Sequence, residues 1–92
     1  KSVDLTPTEF RLLAALAAKP GHVITHRELL SQVWGDEYVD EDLYLKLYIC
    51  YLRQKIERNP GKPRYILTKR GVGYYLNAGC AASGAWQRVS AV

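Results

Sequence analysis

The stretch "PRYILTKRGVGYYL", residues 63–76, decides how the rest of the chain is read. Tyr65-Ile66-Leu67-Thr68 and Tyr74-Tyr75-Leu76 are β-prone, and β-branched and aromatic residues pack well on a pleated surface. Between them "KRGVG" supplies the glycines a tight reversal needs, so the segment reads as a hairpin. Its tip is basic, with Lys69 and Arg70, and Arg64 lies near its base.

Working back toward the N-terminus, three helices precede the hairpin. "LTPTEFRLLAALAAKPG" carries a T-x-x-E capping box at Thr6 and Glu9, with Pro7 at the first helical position. Phe10, Leu13 and Leu16/Ala17 recur at helical spacing and are expected to form its apolar face. Pro20-Gly21 stops it. "HVITHRELLSQVWG" repeats the device after a short extended Val23-Ile24: Thr25 caps, Glu28 follows three residues on, and Gly35 ends the helix. Leu29, Leu30, Val33 and Trp34 form its apolar side. An acidic loop follows, from Asp36 to Asp42.

The third helix, "DEDLYLKLYICYLRQKIE" (residues 40–57), is expected over about 41–58 and is closed by "NPGKP". At about 100° per residue, Leu45, Ile49, Leu52 and Ile56 fall in one narrow stripe, enough to bury the helix. Tyr44, Tyr48, Tyr51 and Lys55 form a second stripe about 90° away, which Leu47 and Gln54 extend away from the core. Core packing does not require this second surface. Either it packs against another part of the chain or a second copy, or it recognises a ligand.

Charge is polarised along the chain. Residues 1–45 hold 4 basic and 8 acidic side chains, a net of −4, whereas residues 46–75 hold 8 basic against the single acid Glu57, a net of +7. Clustered cations gain by releasing counterions condensed on phosphates, so this half suits a polyanion. The 92 residues, net +4, make one domain with a modest core. No apolar run approaches the roughly 18–20 residues of a membrane span, and no signal peptide opens the chain. Cys50 and Cys80 are too few for a disulfide framework or a thiolate metal site and read as reduced thiols in the cytoplasm. His22 and His26 lack metal-ligand spacing, and Glu9 and Glu28 are caps, not catalytic carboxylates. No phosphate loop, nucleophile elbow or carboxylate pair appears, so neither an enzyme nor a cofactor is expected. The tail "NAGCAASGAWQRVSAV", residues 77–92, is small-residue-rich and reads as an extension of unknown role, with Trp86 as its one obvious anchor.

Three helices followed by a basic-tipped hairpin are the order of a winged helix-turn-helix. "LTPTEFRLL", "HRELLSQVWG", "YLRQKIE" and "PRYILTKRGVGYYL" together resemble the DNA-binding effector domain of OmpR/PhoB-type bacterial response regulators, over residues 5–76. The expected fold is α+β, mainly α, in a domain spanning residues 1–76, with the N-terminal sheet of the family largely absent. The resemblance implies double-stranded DNA as partner, the third helix in the major groove, the hairpin wing (64–76) on the minor groove or backbone, and a homodimer on repeated half-sites. It also implies a receiver domain in the full-length protein.

Carried over by position, Trp34, Arg53, Thr68, Arg70 and Tyr74 match DNA-contacting positions. The loop containing Asp36, Glu37, Tyr38 and Asp40 matches one that meets RNA polymerase in relatives. The third helix departs from the family pattern: Leu43-Tyr44 stand where Arg-Thr is usual, and Tyr48 and Tyr51 where His and Arg are usual. Tyr44, Leu47, Tyr48, Tyr51, Lys55 and Lys69 complete the expected DNA-binding set, with rings and Leu47 toward thymine methyls and hydroxyls toward phosphates. The alternative is a winged-helix interaction or dimerisation module using the same tyrosine face.

Overall fold

The computed structural model describes residues 3–77 and 89–91. Strand β1 (Val3–Leu5) leads into α1 (Pro7–Ala17), then β2 (Ile24–Thr25), α2 (His26–Val33), a 3-10 turn (Asp36–Tyr38), α3 (Asp42–Ile56), β3 (Ile66–Lys69), β4 (Gly73–Leu76) and β5 (Val89–Ala91).

Both expected capping boxes form. The Glu9 N–H donates to Thr6 Oγ1 at 3.2 Å while Glu9 Oε1 accepts the Thr6 N–H at 2.9 Å. At α2 the Glu28 N–H donates to Thr25 Oγ1 and the Thr25 N–H to Glu28 Oε1, both at 3.1 Å. Each box satisfies amides that a helix start otherwise leaves without partners.

The core is built from Leu12, Leu13 and Leu16 of α1, Leu29, Leu30 and Val33 of α2, Leu45, Ile49 and Leu52 of α3, and Leu5, Ile24, Ile66, Tyr74 and Leu76 of the strands. Each fully buried Leu contributes about 1.5–3 kcal/mol relative to an exposed one. The α3 stripe expected from spacing is the buried one, with Ile56 half-buried at its end. On α1 the buried arc differs from the expected one. Phe10 is exposed, and Glu9, Leu12, Leu13 and Leu16 face inward. Glu9, held by the capping box, also meets Lys55 of α3, so the buried arc is centred nearer Glu9 than Phe10.

The hairpin forms with β4 central in the order β2-β4-β3, all antiparallel, Leu67 opposite Tyr75 and Thr68 opposite Tyr74. Gly71 at φ 77° takes the left-handed conformation of the wing tip, where side chains are strained. Gly73 is required for another reason: a Cβ there would lie 1.9 Å from the Ile24 carbonyl oxygen. Only a hydrogen at that position lets β2 reach β4.

Helix α3 ends at Ile56, two residues before the expected limit of 58. Glu57 turns to extended backbone (φ −86°, ψ 139°), and its carboxylate takes up the amides of the following strand. At the N-terminal edge, β1 is joined by β5 in parallel, Val3 beside Val89 and Leu5 beside Ala91. Composition alone marks residues 77–92 as an extension, yet a strand of that segment completes a two-stranded sheet with β1. Cys80, Trp86 and Arg88 lie outside the described residues.

Candidate nucleic-acid interface

Seating α3 on Leu45, Ile49 and Leu52 leaves the opposite side of the helix in water. Leu43 is 80% exposed, Leu47 45%, Tyr44 42% and Tyr51 39%. Isolated exposed apolar residues are ordinary, but four on one helix face form a patch that calls for a partner.

The tyrosines are ordered by one another. Trp34, at the C-terminus of α2, meets Tyr48 edge-on at 5.1 Å between ring centroids and Tyr44 at 5.7 Å. Tyr48 in turn meets Tyr44 at 5.7 Å and Tyr51 at 5.6 Å, both edge-to-face. Tyr38, from the 3-10 turn, stacks on Tyr44 at 6.1 Å with ring planes 6° from parallel. Edge-to-face and stacked pairs each contribute about 0.5–1.5 kcal/mol beyond area burial. The array therefore holds the outward rings in place and ties the acidic loop to α3. Trp34 and Tyr48 are half-buried inside it; Tyr44 and Tyr51 show their rings to solvent.

Two cations expected at the DNA surface are engaged within the domain. Arg53 donates from Nε to the Ile66 carbonyl at 3.2 Å, and from Nη2 to that carbonyl at 2.9 Å and to Thr68 Oγ1 at 2.8 Å. Its guanidinium also lies 5.8 Å from the Tyr74 ring centroid. Tyr74 is buried, and burial raises its phenol pKa against the opposing pull of Arg53. Arg53, Thr68 and Tyr74 thus fix the angle between α3 and the wing. Lys55 Nζ donates to Glu9 Oε1 at 2.6 Å, fixing α3 against α1. Burial alone would raise the Glu9 pKa, but Lys55 and the Thr6 N–H outweigh it and hold the carboxyl below its ordinary value.

Lys69 and Arg70 remain exposed at the wing tip, with no acidic residue beside them in sequence, and Lys46 is exposed on the flank of α3. Asp36, Glu37, Tyr38 and Asp40 are all exposed; Asp36 accepts a hydrogen bond from Ser31 Oγ, and Asp40 pairs with Arg27 at 3.5 Å in full solvent. Among the described residues no group of three or more His, Cys, Asp or Glu could hold a metal ion, and no helix is long and apolar enough to cross a membrane.

Sequence reasoning missed two residues of this region. Glu57, counted there only as a lone acid, is 7% exposed and accepts the backbone N–H groups of Arg64, Tyr65 and Ile66 at 2.8–2.9 Å. It joins the end of α3 to the start of the wing. Leu43, noted there only as a departure from the family pattern, is the most exposed large apolar side chain among the described residues. Its place opposite the core stripe was visible in the helical spacing.

Residues 1–76 match the family profile described as "Transcriptional regulatory protein, C terminal". The chain belongs to this family of OmpR/PhoB-type effector domains. Membership makes it a DNA-binding effector domain of the response-regulator class, whose members regulate transcription and are not enzymes. Among relatives, it is 50% identical over 74 residues to the KDP operon transcriptional regulatory protein KdpE of Escherichia coli K12, covering 80% of this chain and 33% of KdpE. It spans about a third of the length of the curated relatives it matches. Among solved structures, it resembles the Klebsiella pneumoniae RstA DNA-binding domain in complex with the RstA box, at TM-score 0.75 and 30% identity, covering 83% of this chain and 75% of that one. The AdeR DNA-binding domain in complex with an intercistronic region matches at TM-score 0.66 and 27% identity, covering 82% and 74%. The winged-helix architecture of this family is the one the helix order and basic hairpin predict.

Proposed function

We propose that this domain docks on duplex DNA with α3 in the major groove and the β3–β4 wing on the adjacent minor groove or backbone. The observation that carries the reading is the juxtaposition of two surfaces. A preordered, uncharged helix face stands beside a wing tip whose Lys69 and Arg70 are exposed. A helix fits the major groove, and a short cationic loop suits phosphates. RstA and AdeR, which share the fold, were solved with DNA, which supports the same use here.

In this arrangement Lys69, Arg70 and Lys46 neutralise phosphates, Tyr44, Leu47 and Tyr51 face the bases, and Trp34 and Tyr48 brace them. Arg53, Thr68, Tyr74 and Lys55 set the angle at which the helix and wing are offered. The domain acts as a homodimer on repeated half-sites, in the cytoplasm, under a receiver domain of the full-length protein. The exposed turn with Asp36, Glu37, Tyr38 and Asp40 is a contact surface for RNA polymerase.

Selection of bound sequences from a random duplex pool tests the reading. A recovered motif repeated at about one helical turn, bound with affinity that falls steeply with salt, is the expected result. Failure to enrich any duplex overturns it.

A further inference from the structure

The chemistry of the reading face narrows what it recognises. On the helical wheel, Leu43, Leu47, Cys50, Tyr51, Gln54 and Tyr44 cover the arc facing away from Leu45, Ile49 and Leu52. All six are exposed, and none is charged. The charged side chains of α3 stand on its flanks. Arg53 is bonded to Ile66 and Thr68 of the wing, Lys55 is paired with Glu9 of α1, and Lys46 and Asp42 lie toward the Arg53 side.

Guanine is read in the major groove mainly by the fork of Arg or by Lys on O6 and N7, and the cytosine amino group by a carboxylate. The outward arc holds neither kind of group. It offers two leucines and two phenol rings, which suit the C5-methyl of thymine. It also offers the amide of Gln54, which suits the N6/N7 edge of adenine, the partner base of that same pair. Among the described residues the carboxamide of Gln54 meets only the weak acceptor Cys50 Sγ, at 3.8 Å. Two cations at the wing tip and Lys46 on the flank favour a polyanion over a neutral protein surface as the occupant of this face.

We propose that α3 reads A·T pairs in the major groove, and that burial of thymine methyl groups against Leu43, Leu47 and the Tyr44 and Tyr51 rings supplies the discrimination. The proposal rests on the duplex-binding reading above. It predicts half-sites with thymines at the positions under α3, and selectivity set by methyl contact more than by hydrogen bonds.

The test uses the duplex recovered by selection, with each thymine of a half-site replaced in turn by uracil. This removes the methyl and keeps Watson–Crick pairing. Anisotropy titrations of the full chain should show affinity falling about fourfold at each position whose methyl is buried, the equivalent of one methyl-sized group returned to water. Leu47→Ala should weaken binding to the thymine duplex and erase the thymine–uracil difference at one position. Leu47 is nearly half-exposed, so this variant keeps the fold, as circular dichroism would verify. If the duplex is bound with steep salt dependence but every uracil substitution leaves affinity within about twofold, methyl reading is overturned while duplex binding stands. If no duplex is bound at all, the functional reading fails and this inference with it.

Discussion

Glu57 and Ile66 are joined by a buried hydrogen bond, the Ile66 N–H donating to Glu57 Oε2 at 2.9 Å. With the amides of Arg64 and Tyr65 on the same carboxylate, this contact fastens the end of α3 to the first strand of the wing. The base of the wing is thereby tied to the C-terminal end of the helix.

Removing that carboxylate should be costly. Glu57→Ala leaves backbone N–H groups near the buried start of β3 without acceptors, at about 1–3 kcal/mol for each buried group left unmade. Urea denaturation should register a loss of about 2–4 kcal/mol. Glu57→Gln, which keeps one carbonyl oxygen, should lose less. A change below about 0.5 kcal/mol for Glu57→Ala would remove Glu57 from this role.

The pair Glu9–Lys55 gives a pH dependence with a definite sign. Burial opposes the charged form of Glu9, but Lys55 and the Thr6 N–H hold its folded pKa below the ordinary 4.5. The stabilisation is complete above that ordinary value and is lost as pH falls through the lowered folded pKa. Lys55→Met removes one of the two groups that oppose burial and leaves only the Thr6 hydrogen bonds, so the Glu9 pKa should rise from its value in the unaltered chain, visible in a carbon-13 carboxyl titration. Because the Lys55 side chain is 37% exposed, the stability cost at neutral pH should be modest, about 1 kcal/mol. A Glu9 titration unchanged by Lys55→Met would contradict the pairing.

Salt dependence separates cations that touch phosphate from cations that hold the domain together. Arg70→Ala and Lys69→Ala should each reduce the slope of log affinity against log salt by about 0.9, with similar weakening on every sequence. Lys55→Met should leave the slope nearly unchanged, since its ammonium is committed to Glu9. Equal slope losses for Lys55 and Arg70 would show that the internal pair opens on DNA.

Much of this was legible in the sequence. Both capping boxes, the α3 core stripe and the hairpin follow from local spacing, where each residue's role depends on neighbours three or four positions away. What escaped depends on residues far apart in the chain. Arg53 and Lys55 read as surface cations because nothing local announces that Ile66, Thr68 and Glu9 will arrive beside them. Glu57 looked like a stray acid because its partners are backbone amides across the Asn59–Pro63 turn, which side-chain spacing does not announce. The strand at Val89–Ala91 was hidden by a small-residue composition that carries no periodic signal, and its partner β1 lies at the other end of the chain. The outward tyrosine face was visible as an excess over core needs, though its bracing by Trp34 and Tyr38 required the structure.

On the proposed reading, α3 and the wing tip form one DNA-binding surface. The most direct test is titration of the nitrogen-15-labelled domain with the selected duplex, followed amide by amide. The largest shifts are expected along residues 43–54 and 69–72, with the amides of α1 little changed. Shifts centred on α1, or no shifts at any duplex concentration, would contradict it.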